Sequence, residues 1–312
     1  MFLVCGEALF DLFLDRDGQH SGLKFDARAG GSPFNVAIGL SRLGGSAALL
    51  TGVSTDFLGE FLAARLADEG VGTGYLIRSG RRTTLSVVGV DASGSPDYAF
   101  YGIGSADCSL TTADLPVLDD AVKGLHFGSY SCVVDPAASA FETLAKHQTA
   151  RFISFDPNVR LTVEPDVAVW RERVARFAAC ADLIKISDED FGLLWPQGDA
   201  ADKAAEWLCG RTSMVVLTRG GEPARAWTSR HMVEAPASAP VTVIDTVGAG
   251  DTFQAALLHR LEQHGALKPG APGTLDSHAL QSVLTYASAA AAVTCSRRGA
   301  DLPRAAEVEA RL

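Results

Sequence analysis

Basic residues are scarce in this sequence relative to acidic ones, 27 against 37, and no run of Lys or Arg exceeds two residues. The formal net charge of −10 argues against nucleic acid as a partner. The apolar start of the chain has no basic n-region, which argues against a signal peptide. The uncharged stretch 282–296 is too short to span a membrane and is interrupted by Ser, Thr and Tyr. We therefore expect a cytoplasmic protein without membrane contact, in which 282–296 forms a buried helix.

Cysteine and histidine patterns typical of metal sites or disulfide frameworks are also missing. The six cysteines and seven histidines are scattered along the chain, with no pair at metal-ligand spacing. Reduced and mostly buried thiols are the simplest interpretation. Hydrophobic residues make up 47% of the chain and charged residues 21%, which is enough apolar material for a large core.

No internal repeat or low-complexity linker divides the chain, so a single domain over residues 1–312 is the first expectation. Strand-like apolar runs alternate with amphipathic segments at helical spacing, such as 35–43 and 58–66. This alternation predicts an α/β fold with a mostly parallel sheet and helices on both faces. The predicted buried strands are 2–5, 47–51, 152–155, 183–186 and 214–218.

One region departs from this alternation. Segments 83–90 and 98–101 have the character of two strands joined by the turn-rich 91–96, which predicts a β-hairpin. A hairpin inserted into an α/β chain tends to project from the main sheet, and such projections often serve as lids. We expect lid strands from about 13–28 and 83–106.

The strongest local signal lies in 243–261, which has the pattern of a strand, a glycine turn and a helix. Glycines where a helix begins, here Gly248 and Gly250, let an anion approach backbone N–H groups that have no partner within the helix. Asp251 lies in the same first turn, where a carboxylate repels phosphate and is useful only if it handles a proton. The alternative is that Asp251 simply caps the helix.

Two further turns carry polar residues where ligands could bind. The glycine-rich turn 29–35 precedes a helix, and Asn35 could hydrogen-bond a polyhydroxy ligand. An ordinary turn with a helix-starting proline is the alternative there. Segment 155–160 follows a buried strand at its carboxyl end, where ligand sites gather in α/β folds, although a simple strand-capping turn would have the same composition.

Neither standard nucleotide-binding motif is present. The sequence lacks G-x-x-x-x-G-K-[ST], which excludes a P-loop enzyme, and no G-x-G-x-x-G follows the first strand, as a dinucleotide fold requires. Gly248 and Gly250 lack a third glycine, because Phe253 occupies its position. A dehydrogenase is therefore disfavoured.

Taken in this order, these elements resemble the ribokinase-like (pfkB) carbohydrate kinase family over essentially the whole chain, and within it the fructokinases and 2-keto-3-deoxygluconate kinases. Segment 6–11 is similar to the family's first strand with its sugar-contacting aspartate, and the segment starting at Gly30 is similar to its first signature. Segment 245–251 matches the highly specific second signature. The resemblance implies an α/β, ribokinase-like three-layer sandwich with a mostly parallel central sheet and a small β-sheet lid.

The resemblance also implies roles for individual residues. Asp251 would be the catalytic base, and Gly248, Ala249 and Gly250 would form an anion hole. The sugar-binding residues would be Asp11, Gly30, Gly31, Asn35 and Arg160. The nucleotide-binding residues would be Ser187, Thr218, Gly220, Gly250 and Ser288. Asp190 would bind Mg²⁺ through water, and Asp245, Val247 and Gly299 would contribute to a monovalent cation site for K⁺.

The chain differs from the family pattern at three positions. Where many members have Asn-x-x-Glu to organise magnesium and phosphate, this chain has Ser187 and Asp190, whose carboxylate has a shorter reach. Gly102 stands where fructokinases and 2-keto-3-deoxygluconate kinases usually have an arginine in the lid strand. These differences bear on magnesium handling and, above all, on the choice of sugar.

The resemblance implies an enzyme that transfers the γ-phosphoryl group of ATP to a hydroxyl of a small sugar, with fructose as the expected substrate. A 2-keto-3-deoxygluconate kinase and a nucleoside kinase of the same fold are the alternatives in chemistry. A protein that senses sugar without phosphorylating it is the alternative in class. The lid hairpins of this family often pair between subunits, which implies a homodimer.

Overall fold

The structure, a computed structural model, describes residues 1–15, 22–90, 96–235 and 241–312. The strands are β1 (Phe2–Cys5), β2 (Leu9–Asp15), β3 (Lys24–Gly30), β4 (Ala47–Ser54), β5 (Leu76–Ser79), β6 (Leu85–Val90), β7 (Pro96–Tyr101), β8 (Gly124–Gly128), β9 (Phe152–Asp156), β10 (Leu183–Ser187), β11 (Met214–Arg219), β12 (Glu222–Trp227) and β13 (Met232–Glu234). The helices are α1 (Ser32–Arg42), α2 (Phe57–Asp68), α3 (Ala137–His147), α4 (Val167–Ala178), α5 (Asp188–Leu194), α6 (Ala200–Leu208), α7 (Ala249–Gln263), α8 (Ser277–Cys295) and α9 (Ala305–Glu309).

The larger sheet has the strand order β13-β12-β11-β10-β9-β8-β1-β4-β5. All neighbours from β11 to β5 pair in parallel, whereas β12 and β13 add an antiparallel edge. All five predicted strands are confirmed, and four of them extend further at the carboxyl end than the apolar run indicates. The carboxyl ends of the parallel strands therefore meet at one edge of the sheet, where ligand sites form in such folds.

Helices cover both faces of this sheet. Helices α1, α2, α7, α8 and α9 bury their apolar residues in one core, and α3, α4, α5 and α6 bury theirs in the other. The stretch 282–296 belongs almost entirely to α8, whose apolar residues are largely buried against the first of these cores, as predicted. Within the described ranges no helix is long and apolar enough to cross a membrane.

The smaller sheet has the order β3-β2-β6-β7. Strands β6 and β7 pair antiparallel, which confirms the predicted hairpin strands, and β2 joins β6 in parallel. The two ends of segment 13–28, which was expected to contribute to a lid, lie in β2 and β3. Strand β2 begins earlier than expected, at Leu9, and β3 ends later, at Gly30. The turn residues 91–95, and residues 16–21 between β2 and β3, lie outside the described residues.

The strand expected just before the glycine turn does not form. Val243 and Ile244 are 60% and 61% exposed rather than buried in a sheet. The backbone N–H of Ile244 donates to the carbonyl of Cys295 at 2.8 Å, so this segment is attached to the end of α8. The prediction of a strand here was wrong because two adjacent β-branched residues do not distinguish a strand from a loop that packs on a helix end.

Candidate active site

A cavity of about 590 Å³ lies at the carboxyl ends of the parallel strands, beside the small sheet. It collects residues from both glycine-rich turns, from the loop after β9, from β10 and β11 near their carboxyl ends, and from α5. The sequence-predicted residues that line it are Asp11, Gly31, Asn35, Arg160, Ser187, Asp190, Thr218, Val247, Gly248, Gly250 and Asp251. The fold thus gathers at one place residues that are far apart in the chain.

Helix α7 begins at the glycine turn, whose residues Gly248 and Gly250 line this cavity. Gly248 is the N-cap residue with φ 78°, a left-handed conformation, and a Cβ on it would lie 2.6 Å from the Cβ of Ala300. Both observations require glycine at this position. Ala249, Gly250 and Asp251 follow as the first three helical residues, so their backbone N–H groups lack partners within the helix. Because Gly248 occupies the N-cap, Asp251 is not the helix cap.

Asp251 is held from the neighbouring helix. The amide Nδ2 of Asn35, on α1, donates to Oδ2 of Asp251 at 2.8 Å, and both side chains are largely buried. Burial raises the pKa of Asp251, whereas hydrogen bonds from Ser32 and Asn35 and the positive charges of Arg160 and Lys185 lower it. On balance the pKa of Asp251 is raised, and the Asn35 amide fixes the orientation of this buried carboxylate, as a general base requires.

Asp11 lies on β2 of the small sheet, and the first-signature residues Gly30 and Gly31 lie at the end of β3 and at the N-cap of α1. A Cβ on Gly30 would lie 2.6 Å from Oδ2 of Asp11, because Gly30 pairs with Leu9, two residues before Asp11 on β2. Gly31 caps α1 with φ 104°, and a Cβ there would lie 2.8 Å from the carbonyl of Glu7. Burial raises the pKa of Asp11, and Arg160 lowers it again through its charge. Asp11 and Arg160 therefore flank one part of the cavity with opposite charges.

Ser187 and Asp190 form a compact helix cap. The Ser187 hydroxyl accepts from the backbone N–H of Asp190 at 3.0 Å, and Asp190 Oδ1 accepts from the N–H of Val159 at 3.1 Å. Burial raises the pKa of Asp190 to about 6. Glu189, next to it, is exposed and also lines the cavity. Carboxylate oxygens are the ligands that Mg²⁺ prefers, so this group fits a magnesium site.

The remaining predicted nucleotide-binding residues lie at different places. Thr218, near the end of β11, is half-buried and lines the cavity. Gly220 follows it with φ 53° and is exposed, and Ser288 lies half-buried on α8. Gly220 and Ser288 do not belong to the cavity wall that the described residues form.

The predicted monovalent cation residues form a junction between two loops. Asp245 Oδ1 accepts from the N–H of Val247 at 3.0 Å, and Oδ2 accepts from the N–H of Gly299 at 2.7 Å. Gly299 has φ 70°, and a Cβ on it would lie 2.3 Å from the Arg28 guanidinium. The Asp245 side chain thus holds the two loops together.

Comparison with known proteins identifies the family. A family model described as "pfkB family carbohydrate kinase" matches residues 1–306. The chain belongs to this family. The pfkB relatives include a fructokinase of Rhizobium leguminosarum bv. trifolii, which is 40% identical over 283 residues, or 90% of this chain and 86% of the relative.

Solved structures of fructokinases are similar to the described fold. A fructokinase from Xylella fastidiosa with bound ATP has a TM-score of 0.89 and 27% sequence identity, and the match covers 99% of this chain and 97% of that one. A fructokinase double mutant from Vibrio cholerae O395, bound to fructose, ADP and potassium ion, has a TM-score of 0.84 and 26% identity, with coverage of 100% and 97%. The chain is thus a sugar kinase of the pfkB family with a ribokinase-like α/β fold.

Sequence reasoning did not single out two buried charged groups of this kinase. Glu7 is 1% exposed, accepts from the N–H of Ser32 at 3.3 Å, and has a pKa raised by burial to about 7. Lys185 lies in β10 and pairs with Asp156 of β9 at 2.6 Å. A single charged residue within the apolar run 183–186 was the available signal for Lys185, since such residues are almost never buried without a partner.

Proposed function

We propose that this protein is an ATP-dependent fructokinase whose reaction takes place in the 590 Å³ cavity. The observation that carries the proposal is the contact of Asn35 with Asp251, which places one oriented, buried carboxylate at the glycine turn. A sugar hydroxyl is a poor nucleophile until its proton is accepted, and a positioned carboxylate accepts it. The backbone N–H groups of the turn then face the phosphoryl group that is transferred.

Each part of the cavity has a role in this proposal. Asp11, Gly31, Asn35 and Arg160 hold the sugar hydroxyls and the transferred phosphate. Ser187 and Thr218 contact the nucleotide, and Gly220 and Ser288 bind its more distant part. Magnesium, when bound, would neutralise charge on the β- and γ-phosphates. The four-stranded sheet acts as a lid that excludes water, the competing acceptor.

Two finer features of the site are part of the same proposal. The loops joined by Asp245 bind a monovalent cation such as K⁺ through their backbone carbonyls, and the potassium-bound V. cholerae relative supports this expectation. The lid sheet pairs with that of a second copy to form a homodimer. Exposed apolar side chains at its edges support pairing, since Leu23, Phe25 and Tyr101 are 76%, 38% and 64% exposed.

The first test is ATP turnover over a panel of sugars and nucleosides. Turnover with small sugars alone supports the proposal, whereas preferred turnover with nucleosides would make the protein a nucleoside kinase. Sugar binding without any turnover would make it a sensor. The carboxylate of Asp251 argues against a sugar sensor, because a protein that binds sugar without phosphorylating it does not need a base at the anion site.

Fructose should be a better substrate than 2-keto-3-deoxygluconate. A Cβ on Gly102 would lie 2.3 Å from the Phe100 ring, which lines the cavity and packs on Tyr130 with ring centroids 5.1 Å apart. An apolar ring thus takes the space in which a cationic side chain could meet a sugar carboxylate. Comparison of kcat/KM for the two sugars checks this, and a preference of tenfold or more for the acid sugar would contradict it.

Replacement of Asp190 should weaken the use of magnesium. Asp190→Asn keeps an oxygen that can accept from Val159 N–H but removes the charge, so the magnesium concentration for half-maximal rate should rise several-fold. Asp188→Asn, in the same first turn of α5 but exposed, is the matched control and should leave it unchanged. An unchanged magnesium dependence in Asp190→Asn would contradict this role for Asp190 and leave it to Asp188 or Glu189.

A further inference from the structure

Lys185 and Asp156 form a buried ion pair beneath the glycine turn. The Lys185 Nζ donates to Asp156 Oδ2 at 2.6 Å, and the side chains are 5% and 2% exposed. The two residues lie near the carboxyl ends of β10 and β9, which are neighbours in the parallel sheet. Lys185 also lines the cavity, and its Nζ lies 3.5 Å from the position that a Cβ on Gly250 would occupy.

Stability alone does not explain this pair. Taking two charges out of water costs several kcal/mol per ion, and replacing such pairs by apolar residues is often neutral or stabilising. Here the other carboxylate oxygen, Asp156 Oδ1, is buried and has no hydrogen-bond partner among the described protein atoms. One oxygen of this buried pair therefore lacks a protein donor, which costs stability.

The sheet face around the pair is also polar where α7 packs on it. Gln254, one turn after Asp251, donates to the Ser154 hydroxyl at 2.8 Å, and His126 Nδ1 lies 3.2 Å from that hydroxyl. Burial lowers the pKa of His126 to about 4, so this ring is neutral at neutral pH. Lys185 is therefore the positively charged group that lies next to the glycine turn among these buried polar residues.

We propose that Lys185 is a positioning residue, held by Asp156, that keeps a fixed positive charge directly under the glycine turn and beside the Asp251 carboxylate. The inference rests on the proposed kinase function and adds a residue to its machinery. A charge fixed in a low-dielectric site costs no reorganisation when phosphate arrives, so it adds to the attraction of the backbone N–H groups. The same charge favours the ionised form of Asp251, the form that accepts a proton.

Other charged groups near Asp251 must be separated from this effect. Arg160 lowers the pKa of Asp251 as Lys185 does, and the negative charge of Asp251 raises the pKa of Asp11. Lys185 also lowers the pKa of Asp190, which titrates at about 6. Measuring pH profiles in an Asp190→Asn background removes that second titration. Glu7, with a pKa of about 7, is unchanged in every variant and cancels in the comparison.

The test compares Lys185→Met with the double variant Asp156→Asn/Lys185→Met. The single variant leaves Asp156 as an unpaired buried charge, so it should be destabilised, whereas the double variant restores a neutral core. Both should lose about tenfold or more in kcat. Because a base must be ionised to act, loss of Lys185 should move the acid limb of kcat/KM to higher pH, by about one unit. The acid limb is the readout that a purely structural pair would not move.

The double variant decides the outcome if the single variant does not fold. A folded double variant with wild-type kcat and a wild-type acid limb would overturn the proposal, because the pair would then serve the core alone. Lys146→Met is the matched control, since Lys146 pairs with Glu142 on α3 with its side chain 57% exposed, and it should change neither quantity. Wild-type turnover of sugars tests the proposed function separately, so failure of one proposal is distinguishable from failure of the other.

Discussion

Replacing Asp251 by Asn should reduce kcat by about 10²- to 10⁴-fold while leaving the fold and the affinities for ATP and sugar nearly unchanged. The Asn35 amide can still donate to the remaining side-chain oxygen, so the contact between α1 and α7 persists. What is lost is the ability to accept a proton from the sugar hydroxyl. Steady-state kinetics with purified Asp251→Asn, together with binding constants for both substrates, provide the measurement.

A helix cap is the appropriate control for this substitution. Asp199 caps α6, where its carboxylate accepts from the N–H groups of Ala201 and Asp202. Asp199→Asn should keep normal turnover, because Asn caps helices as well as Asp does. If Asp251→Asn retains more than about a tenth of the wild-type kcat, the general-base mechanism proposed here is wrong.

Gly250→Val should have the second largest effect, a loss of roughly 10²-fold or more in kcat with Asp251 intact. The Gly250 backbone is ordinary helix, and the nearest atom to an added Cβ is Lys185 Nζ at 3.5 Å, so the variant should fold. Its side chain would stand between the phosphoryl group and the N–H groups of the turn. Gly248 is unsuitable for this test, because its positive φ and its contact with Ala300 would strain any replacement.

The variant should be compared with a valine placed where no ligand binds. Gly74 is exposed, with no atom within 4 Å of an added Cβ, so Gly74→Val controls for the loss of a glycine. A thermal melt and kcat are measured for both variants. A folded Gly250→Val enzyme with kcat within about threefold of wild type would contradict an anion-binding role for the turn, given the size of such effects when one donor is lost.

The larger features of the fold follow from patterns that depend on local sequence. Continuous apolar runs in β1, β9 and β11 predict buried parallel strands, because both faces of such a sheet are covered. The glycine turn and the first residues of α7 were equally predictable, since positive φ and helix starts have local chemical signatures. The expected strand at Val243 failed because the tie to Cys295 depends on a helix end 51 residues further along the chain.

The parts of the site that local sequence does not reveal are contacts between distant segments. Lys185 and Asp156 are 29 residues apart, and they meet only because β9 and β10 pair in one particular register. Glu7 looks like a polar residue after a short strand, yet it is buried under the first turn of α1. Continuous apolar runs identify buried strands but do not specify which residues of two distant strands lie side by side, so these partners became visible only in three dimensions.

The contact between Asn35 and Asp251 spans 216 residues, and this separation affects when the site can exist during synthesis. The first strand, β1, is an interior strand that pairs with β8. Phe2 therefore cannot form its native pairing until Gly124 has been synthesised. Non-local pairing of this kind slows folding. A nascent chain that ends before the glycine turn lacks Asp251 and leaves one core face uncovered. The cavity is therefore completed only after α7 has left the ribosome.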